Sequence, residues 1–311
     1  SMKSPICLLA GLLLATSSQA IHGFDPATVD DRIAATGGEL LIEYRGDFTD
    51  RQKQILRAWL TQVGETVVLL HGELPRPQIR LALQPYPARS PVPFARVLRN
   101  EPQGVLFYIN PDFPLQDYVS DWTAYHELSH LFIPYPGMPD IWFSEGLASY
   151  YQNILQYRAG LLDREATLEK LRAGFQRGRN DDQHADMTLT ELSAEMRERR
   201  AFMRVYWSGA LYFLEADIRL RRQTDNRLTL DDVLRDFGAC CLMNTRDWNG
   251  MQMAQEFDRL AGADLQAAVF EPLYRRYSQS RAIPNYADWL MAAEMDSILG
   301  PDWQAANLSV E

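Results

Sequence analysis

Cysteine is scarce: there are three in 311 residues, and Cys7 stands inside a leading apolar run, which leaves Cys240 and Cys241 for the folded part. No second pair exists for a zinc ribbon or a disulfide framework, and neighbouring cysteines bridge only through a strained ring. The two therefore read as buried or free thiols, with a redox role as the lesser reading. Long apolar runs are lacking too. Ile6 to Ala15 is ten residues, about half of the ~20 needed to span ~30 Å of hydrocarbon, and no later segment comes closer, so no membrane span is expected. Positive charge is in deficit, with 31 Lys and Arg against 41 Asp and Glu and a formal charge of −10, which argues against a nucleic-acid partner. A Gly-rich phosphate loop and a Gly-x-Ser-x-Gly elbow are both missing, so nucleotide binding and serine hydrolysis have no support.

What is present is an ordinary globular composition, 46% hydrophobic and 23% charged, and a chain long enough for roughly two domains or one large bilobal unit. Lys3, the apolar run and Ser18-Gln19-Ala20 have the layout of a secretory signal peptide over residues 1–20, which implies an exported protein, periplasmic or extracellular.

The first part reads as α+β. Glu39 to Tyr44, Ile79 to Leu83 and Gly104 to Ile109 are β-rich, and Ile55, Leu56, Trp59, Val63 and Val67 mark a helix beginning near Asp50. Residues 84–93, with four prolines, predict an extended loop. From Leu115 the periodicity is helical, over about 115–133, 140–158, 163–178, 202–222, 229–237, 248–261 and 264–278. Gln176 to Asp186 predicts a mobile polar loop, and Tyr286 to Leu299 a short amphipathic helix before a loose end. The divisions are 21–114 for an N-terminal α/β lobe, 115–283 for a helical lobe and 284–311 for a tail.

The chemistry lies in His126-Glu127-Leu128-Ser129-His130. On a helix, residues four apart share a face, so two imidazoles can meet one metal with a carboxylate beside it, the arrangement of a zinc hydrolase. The competing reading is a pair of ordinary helix-surface histidines. Catalytic zinc takes a third protein ligand and keeps a fourth position open. Glu145 is the only glutamate between residues 128 and 164. It falls early on a helix whose N-cap is Asp140 and whose stop is Gly160, after the short proline-stiffened Pro134 to Pro139 connection. Two packed neighbouring helices can bring Glu145 to the histidines. Otherwise it serves only its helix dipole.

Together, His-Glu-Leu-Ser-His and Trp142-Phe-Ser-Glu-Gly-Leu-Ala-Ser-Tyr-Tyr151 resemble the gluzincin zinc peptidases, above all the aminopeptidase-N and glycyl-aminopeptidase families. Val205-Tyr-Trp-Ser-Gly209 is similar to the segment where those families place a catalytic tyrosine three residues before a glycine. The likeness extends over roughly residues 104–283, including Leu228 to Arg235 and Gly262 to Leu265. It implies a thermolysin-like bilobal α+β fold and one zinc ion held by His126, His130 and Glu145. It also implies Glu127 as general base, Tyr206 as oxyanion donor, and a peptide or protein substrate. The alternative function is a non-catalytic zinc-containing binding protein on the same fold.

The pattern departs from the family in three places. Fourteen residues separate His130 from Glu145, fewer than is usual in the aminopeptidase-N family. Ser208 stands where a lysine is common. The strand at 104–109 lacks the Gly-Ala-Met-Glu-Asn run that holds a substrate's amino terminus, so aminopeptidase specificity is unsupported and internal or specialised cleavage is favoured. Plainer readings cover the rest. His22, His71 and His184 read as surface residues, Arg197, Arg199, Arg200 and Arg204 as a solvated helix face, and Trp122, Tyr125 and Phe132 as core.

Overall fold

The protein, seen in a computed structural model, is described over residues 24–244 and 246–300. Residues 1–20, read above as a signal peptide, together with His22 and the end from residue 301 lie outside the described residues.

Five strands form one sheet: β1 (Asp31–Ala35), β2 (Gly38–Tyr44), β3 (Gln78–Pro85), β4 (Phe94–Leu98) and β5 (Gly104–Ile109), in the order β1-β2-β3-β5-β4. β2, β3 and β5 are parallel, and β1 and β4 are antiparallel edges. Helix α1 (Asp50–Val68) crosses from β2 to β3, and a capping box between Thr49 and Gln52 satisfies its first N–H groups. Leu56, Trp59, Leu60, Val63 and Val67 put its apolar stripe inside. The register aligns Leu40 with Ile79, Ile42 with Leu81, and Leu81 with Val105. These alternate residues face one core with α1, where Trp59 meets Phe107 at 5.2 Å.

Residues 94–98, at the end of the proline-rich stretch, form the edge strand β4, which packs beside the helix carrying the histidine motif. β5 is interior. The sheet edge facing that helix is therefore β4, and not the strand at 104–109.

The rest is helical: α2 (Leu115–Val119), α3 (Thr123–Ser129), α4 (Ile141–Arg158), α5 (Arg164–Asn180), α6 (Leu189–Ala194), α7 (Met196–Arg199), α8 (Phe202–Thr224), α9 (Leu230–Cys240), α10 (Gly250–Ala261), α11 (Phe270–Ser278), α12 (Ala287–Leu290) and α13 (Met295–Leu299). Several boundaries differ from the periodicity for local reasons. The expected helix 115–133 breaks at Ser120 to Trp122, where the Asp121 carboxylate accepts the Thr123 N–H at 2.8 Å and restarts the chain as α3. The expected helix 264–278 begins only at Phe270, because Asp258 on α10 accepts the N–H groups of Val269, Phe270 and Glu271 at 2.8 to 2.9 Å. Helix α5 runs to Asn180, so only the latter part of the predicted 176–186 loop is non-helical. The expected helix 286–299 is split into α12 and α13.

Three expectations about side chains are corrected. Cys240 and Cys241 are joined by a disulfide, so they are not free thiols. The chain leaves helical geometry at Cys241 (φ −134°), which lets adjacent sulfurs meet. Arg204 is buried rather than on a solvated face, because its guanidinium donates to the carbonyls of His184, Met187 and Ser280 and so ties two loops to α8. Trp122 is 49% exposed, while Tyr125 and Phe132 are core as expected.

Helices α4 and α8 form the central pair, with α3 against α4 and α5 against α8. Phenols and carboxylates lock them. The Tyr150 hydroxyl donates to Asp217 at 2.6 Å, and Asp217 also accepts from Arg221 and from the Leu230 N–H. Tyr151 donates to Asp231 at 2.6 Å, and Arg158 pairs with Asp231 at 2.9 Å. Each buried charge thus has several partners, which burial of a carboxylate requires.

Candidate active site

His126 lies on α3, and His130 opens a single 3-10 turn, His130 to Phe132, that continues it. The backbone at His130 stays right-handed helical (φ −58°, ψ −25°), so the four-residue spacing still brings the rings together, edge to face with 5.0 Å between centroids. Glu145 sits in the first turns of α4, whose start is set by Asp140. The Asp140 side chain makes no cap bond of its own. It accepts instead from the Gly250 N–H at 2.9 Å and from the Tyr274 hydroxyl, tying the start of α4 to α10 and α11.

The Glu145 Oε2 atom is 3.1 Å from His126 Nε2 and 3.4 Å from His130 Nε2. The three ligand atoms lie within 4.8 Å of one another. On the far side of each ring the second nitrogen is held. Nδ1 of His126 is 2.7 Å from the Gln152 Oε1, and Nδ1 of His130 is 2.9 Å from the Ser144 Oγ. An amide oxygen only accepts, so Nδ1 of His126 donates to Gln152, which leaves Nε2 as the ring atom that a metal would take. Two imidazole nitrogens and a carboxylate oxygen, converging and anchored from behind, are a donor set that fits zinc. A second cluster, Cys240, Cys241 and Glu256, is geometrically compact, but its sulfurs are already spent on each other.

Burial raises the Glu145 carboxyl, and the two imidazoles outweigh it, holding the group well below the usual carboxylate range. For Glu127, half-buried between the two motif histidines in sequence, burial dominates and pushes the carboxyl up, with the imidazoles opposing. Tyr206, near the start of α8, stacks on His126 with centroids 6.0 Å apart and planes 23° apart. Burial, with the Glu145 and Glu127 charges added, raises its phenol far above neutrality, so it stays protonated and able to donate.

All five residues singled out in the sequence are thus brought to one place. Tyr150, Tyr151 and Tyr212, the other tyrosines of this region, are buried with hydroxyls committed to Asp217, Asp231 and the Phe270 carbonyl. His71 and His184 stand apart from the site. The first is half-buried against Phe132 and the second donates from Nε2 to the Arg199 carbonyl, so neither is a plain surface residue.

Sequence reasoning passed over Ser144, Gln152, Arg99 and the exposed face of Trp122. Gln152 had a signal, since it follows Glu145 by seven residues and shares its helix face. Arg99, just after β4, had none. Its guanidinium donates to the Ile133 carbonyl at 3.0 Å, and burial together with the Arg76 charge lowers it to about 10 against the pull of Glu145 and Glu127.

Residues 136–217 match the family described as M61 glycyl aminopeptidase. Solved structures share the fold. An aminopeptidase N family protein from Idiomarina loihiensis is 18% identical, with a TM-score of 0.58 over 84% of this chain and 48% of its own. An M1 zinc metallopeptidase from Deinococcus radiodurans is 15% identical, with a TM-score of 0.50 over 80% of this chain and 49% of its own. A two-domain M1 zinc metallopeptidase bound to L-arginine gives 17% identity and a TM-score of 0.50, over 80% of this chain and 50% of its own. No curated protein sequence matches. The chain spans about half the length of these structures. Its α+β architecture is therefore that of M1 metallopeptidase domains, and the gluzincin likeness of its motifs is supported by sequence and by fold.

Proposed function

We propose that the protein is a zinc-dependent peptidase of the gluzincin type, acting on peptides or proteins outside the cytoplasm. The observation that carries this is the convergence of His126, His130 and Glu145, with both imidazoles anchored at Nδ1 by Gln152 and Ser144. Bound there, one zinc ion supplies a Lewis acid for the scissile carbonyl and a water whose pKa is about 7. Glu127 accepts the proton of the attacking water and delivers it to the leaving amine. The Tyr206 phenol donates to the carbonyl oxygen as charge develops on it. In this reading the sheet and helical parts are the two lobes of a thermolysin-like unit, with β4 bordering the cleft. Residues 94–109 contain no Gly-Ala-Met-Glu-Asn run, which favours cleavage within a chain over trimming from its amino terminus.

The test is digestion of a broad peptide library by zinc-loaded protein, with sequencing of the products. Internal cleavage that stops with chelator is the expected result. Zinc bound at one equivalent with no cleavage of any peptide would replace the reading by a binding protein on this fold.

A further inference from the structure

We infer that the cleft beside His126 and Tyr206 is a subsite for a carboxylate of the substrate, carried by an acidic side chain or by the end of the chain. The inference takes the peptide substrate from the proposed function, and the pocket chemistry stands on separate observations. The cleft encloses about 480 Å³, within the usual range for ligand sites of about 300 to 1,000 Å³. His126 and Tyr206 form its inner wall, so whatever fills it lies next to the reacting centre.

Two polar side chains interrupt its largely apolar lining. Ser149 and Asn153, one turn apart on α4, both line the cleft and are 1% and 2% exposed. Neither side chain makes a hydrogen bond among the described residues, and their polar atoms are not sealed from solvent, so they are open to whatever occupies the cleft. Such groups exchange water for a ligand atom at little cost when the ligand reproduces the hydrogen bonds. An amide with two N–H donors and a hydroxyl, both facing one cavity, are matched by an acceptor that enters it.

The rim supplies the sign of charge. Lys170 and Arg177, seven residues apart on one face of α5, border the cleft, and neither forms an ion pair among the described residues. Arg177 is held over the Trp207 ring at 5.3 Å, a cation–π contact that fixes it at the rim without neutralising it. The one carboxylate at the rim, Glu169, is taken by Arg172 at 2.6 Å. Two uncompensated cations above two free donors, on a chain with a formal charge of −10, suit an anion. A basic side chain would meet repulsion at the rim, and an apolar one would leave Asn153 unpaired.

The experiment uses the zinc-loaded Glu127→Gln protein, so that binding is read without turnover. It is titrated calorimetrically with N-acetylated alanine tetrapeptides that carry Glu or Gln at each position in turn, and with free-acid or amidated ends. One Glu peptide is expected to bind about tenfold tighter than its Gln partner, as a charge-assisted hydrogen bond provides. A preference for the free acid over the amide would place the carboxylate at the chain end instead, and equally supports the subsite. Lys170→Glu with Arg177→Glu, both at exposed positions, should abolish the preference, and Asn153→Leu should reduce it. Equal binding of every Glu and Gln pair and of both ends, or a preference that survives charge reversal, overturns the inference. Wild-type cleavage without carboxylate preference would remove the subsite and keep the peptidase. Carboxylate binding with no cleavage of any peptide would keep the subsite and remove the peptidase.

Discussion

Gly146 and Gly209 meet backbone to backbone where α4 crosses α8. A methyl group on Gly209 would fall 1.9 Å from the Trp142 carbonyl oxygen, and one on Gly146 would fall 2.2 Å from the Gly209 carbonyl carbon. This close approach sets Tyr206, one turn before Gly209, opposite Glu145, the residue before Gly146. Gly209→Ala must therefore push the helices apart. We expect a loss of about 1–3 kcal/mol, the usual cost of overpacking, together with lower kcat from a displaced phenol. A urea melt with an unchanged midpoint would show that the crossing tolerates the methyl.

The zinc assignment makes a graded prediction. Glu145→Ala should lose stoichiometric zinc, His184→Ala should keep it, and Gln152→Leu should weaken affinity by about 10–100-fold, as removal of a ligand's supporting hydrogen bond does. Metal analysis after dialysis against a competing chelator is the measurement. Full zinc retention by Glu145→Ala would remove it from the ligand set.

Glu127 is proposed to act on the water and not on the metal. Glu127→Gln should keep zinc and lose about 10²–10⁴ in turnover. Cleavage near the wild-type rate would take Glu127 out of the mechanism.

Tyr206→Phe keeps the ring stacked on His126 and deletes one hydroxyl. If that hydroxyl serves the oxyanion, kcat should fall by about 10²–10³ while KM changes little, because the bond forms mainly in the transition state. A kcat within twofold of wild type would make the residue a packing aromatic only.

Asp217, 1% exposed, joins Tyr150, Arg221 and the start of α9. Asp217→Ala leaves the nearly buried Arg221 without its partner, and a loss of about 3–5 kcal/mol is expected. Thermal unfolding monitored by circular dichroism tests this, and a melting temperature unchanged from wild type would contradict it.

Local pattern determined a great deal of this molecule. The helical period from Ile55 to Val67, the β-rich runs of β2, β3 and β5, and the spacing of His126, Glu127, His130 and Glu145 were legible because each depends on residues close in sequence. Helical geometry alone brings His126 and His130 together, and a short stiff connection brings Glu145 within reach. Tyr206 was legible only through resemblance to known families, since nothing local links it to residues some eighty positions earlier.

Tertiary structure decided the rest. β4 shows a half-exposed edge pattern and exists because β5 offers it a partner. Helix α11 starts where Asp258 from α10 caps it, and Arg204 is buried because three carbonyls from distant loops surround it. Ser144, Gln152 and Asn153 read as ordinary polar residues on a helix. Their roles depend on what the fold places opposite each one: an imidazole nitrogen for Ser144 and Gln152, and an open cleft for Asn153. Periodicity specifies which face of a helix turns inward, but the partner on the other side is set by packing between segments far apart in the chain.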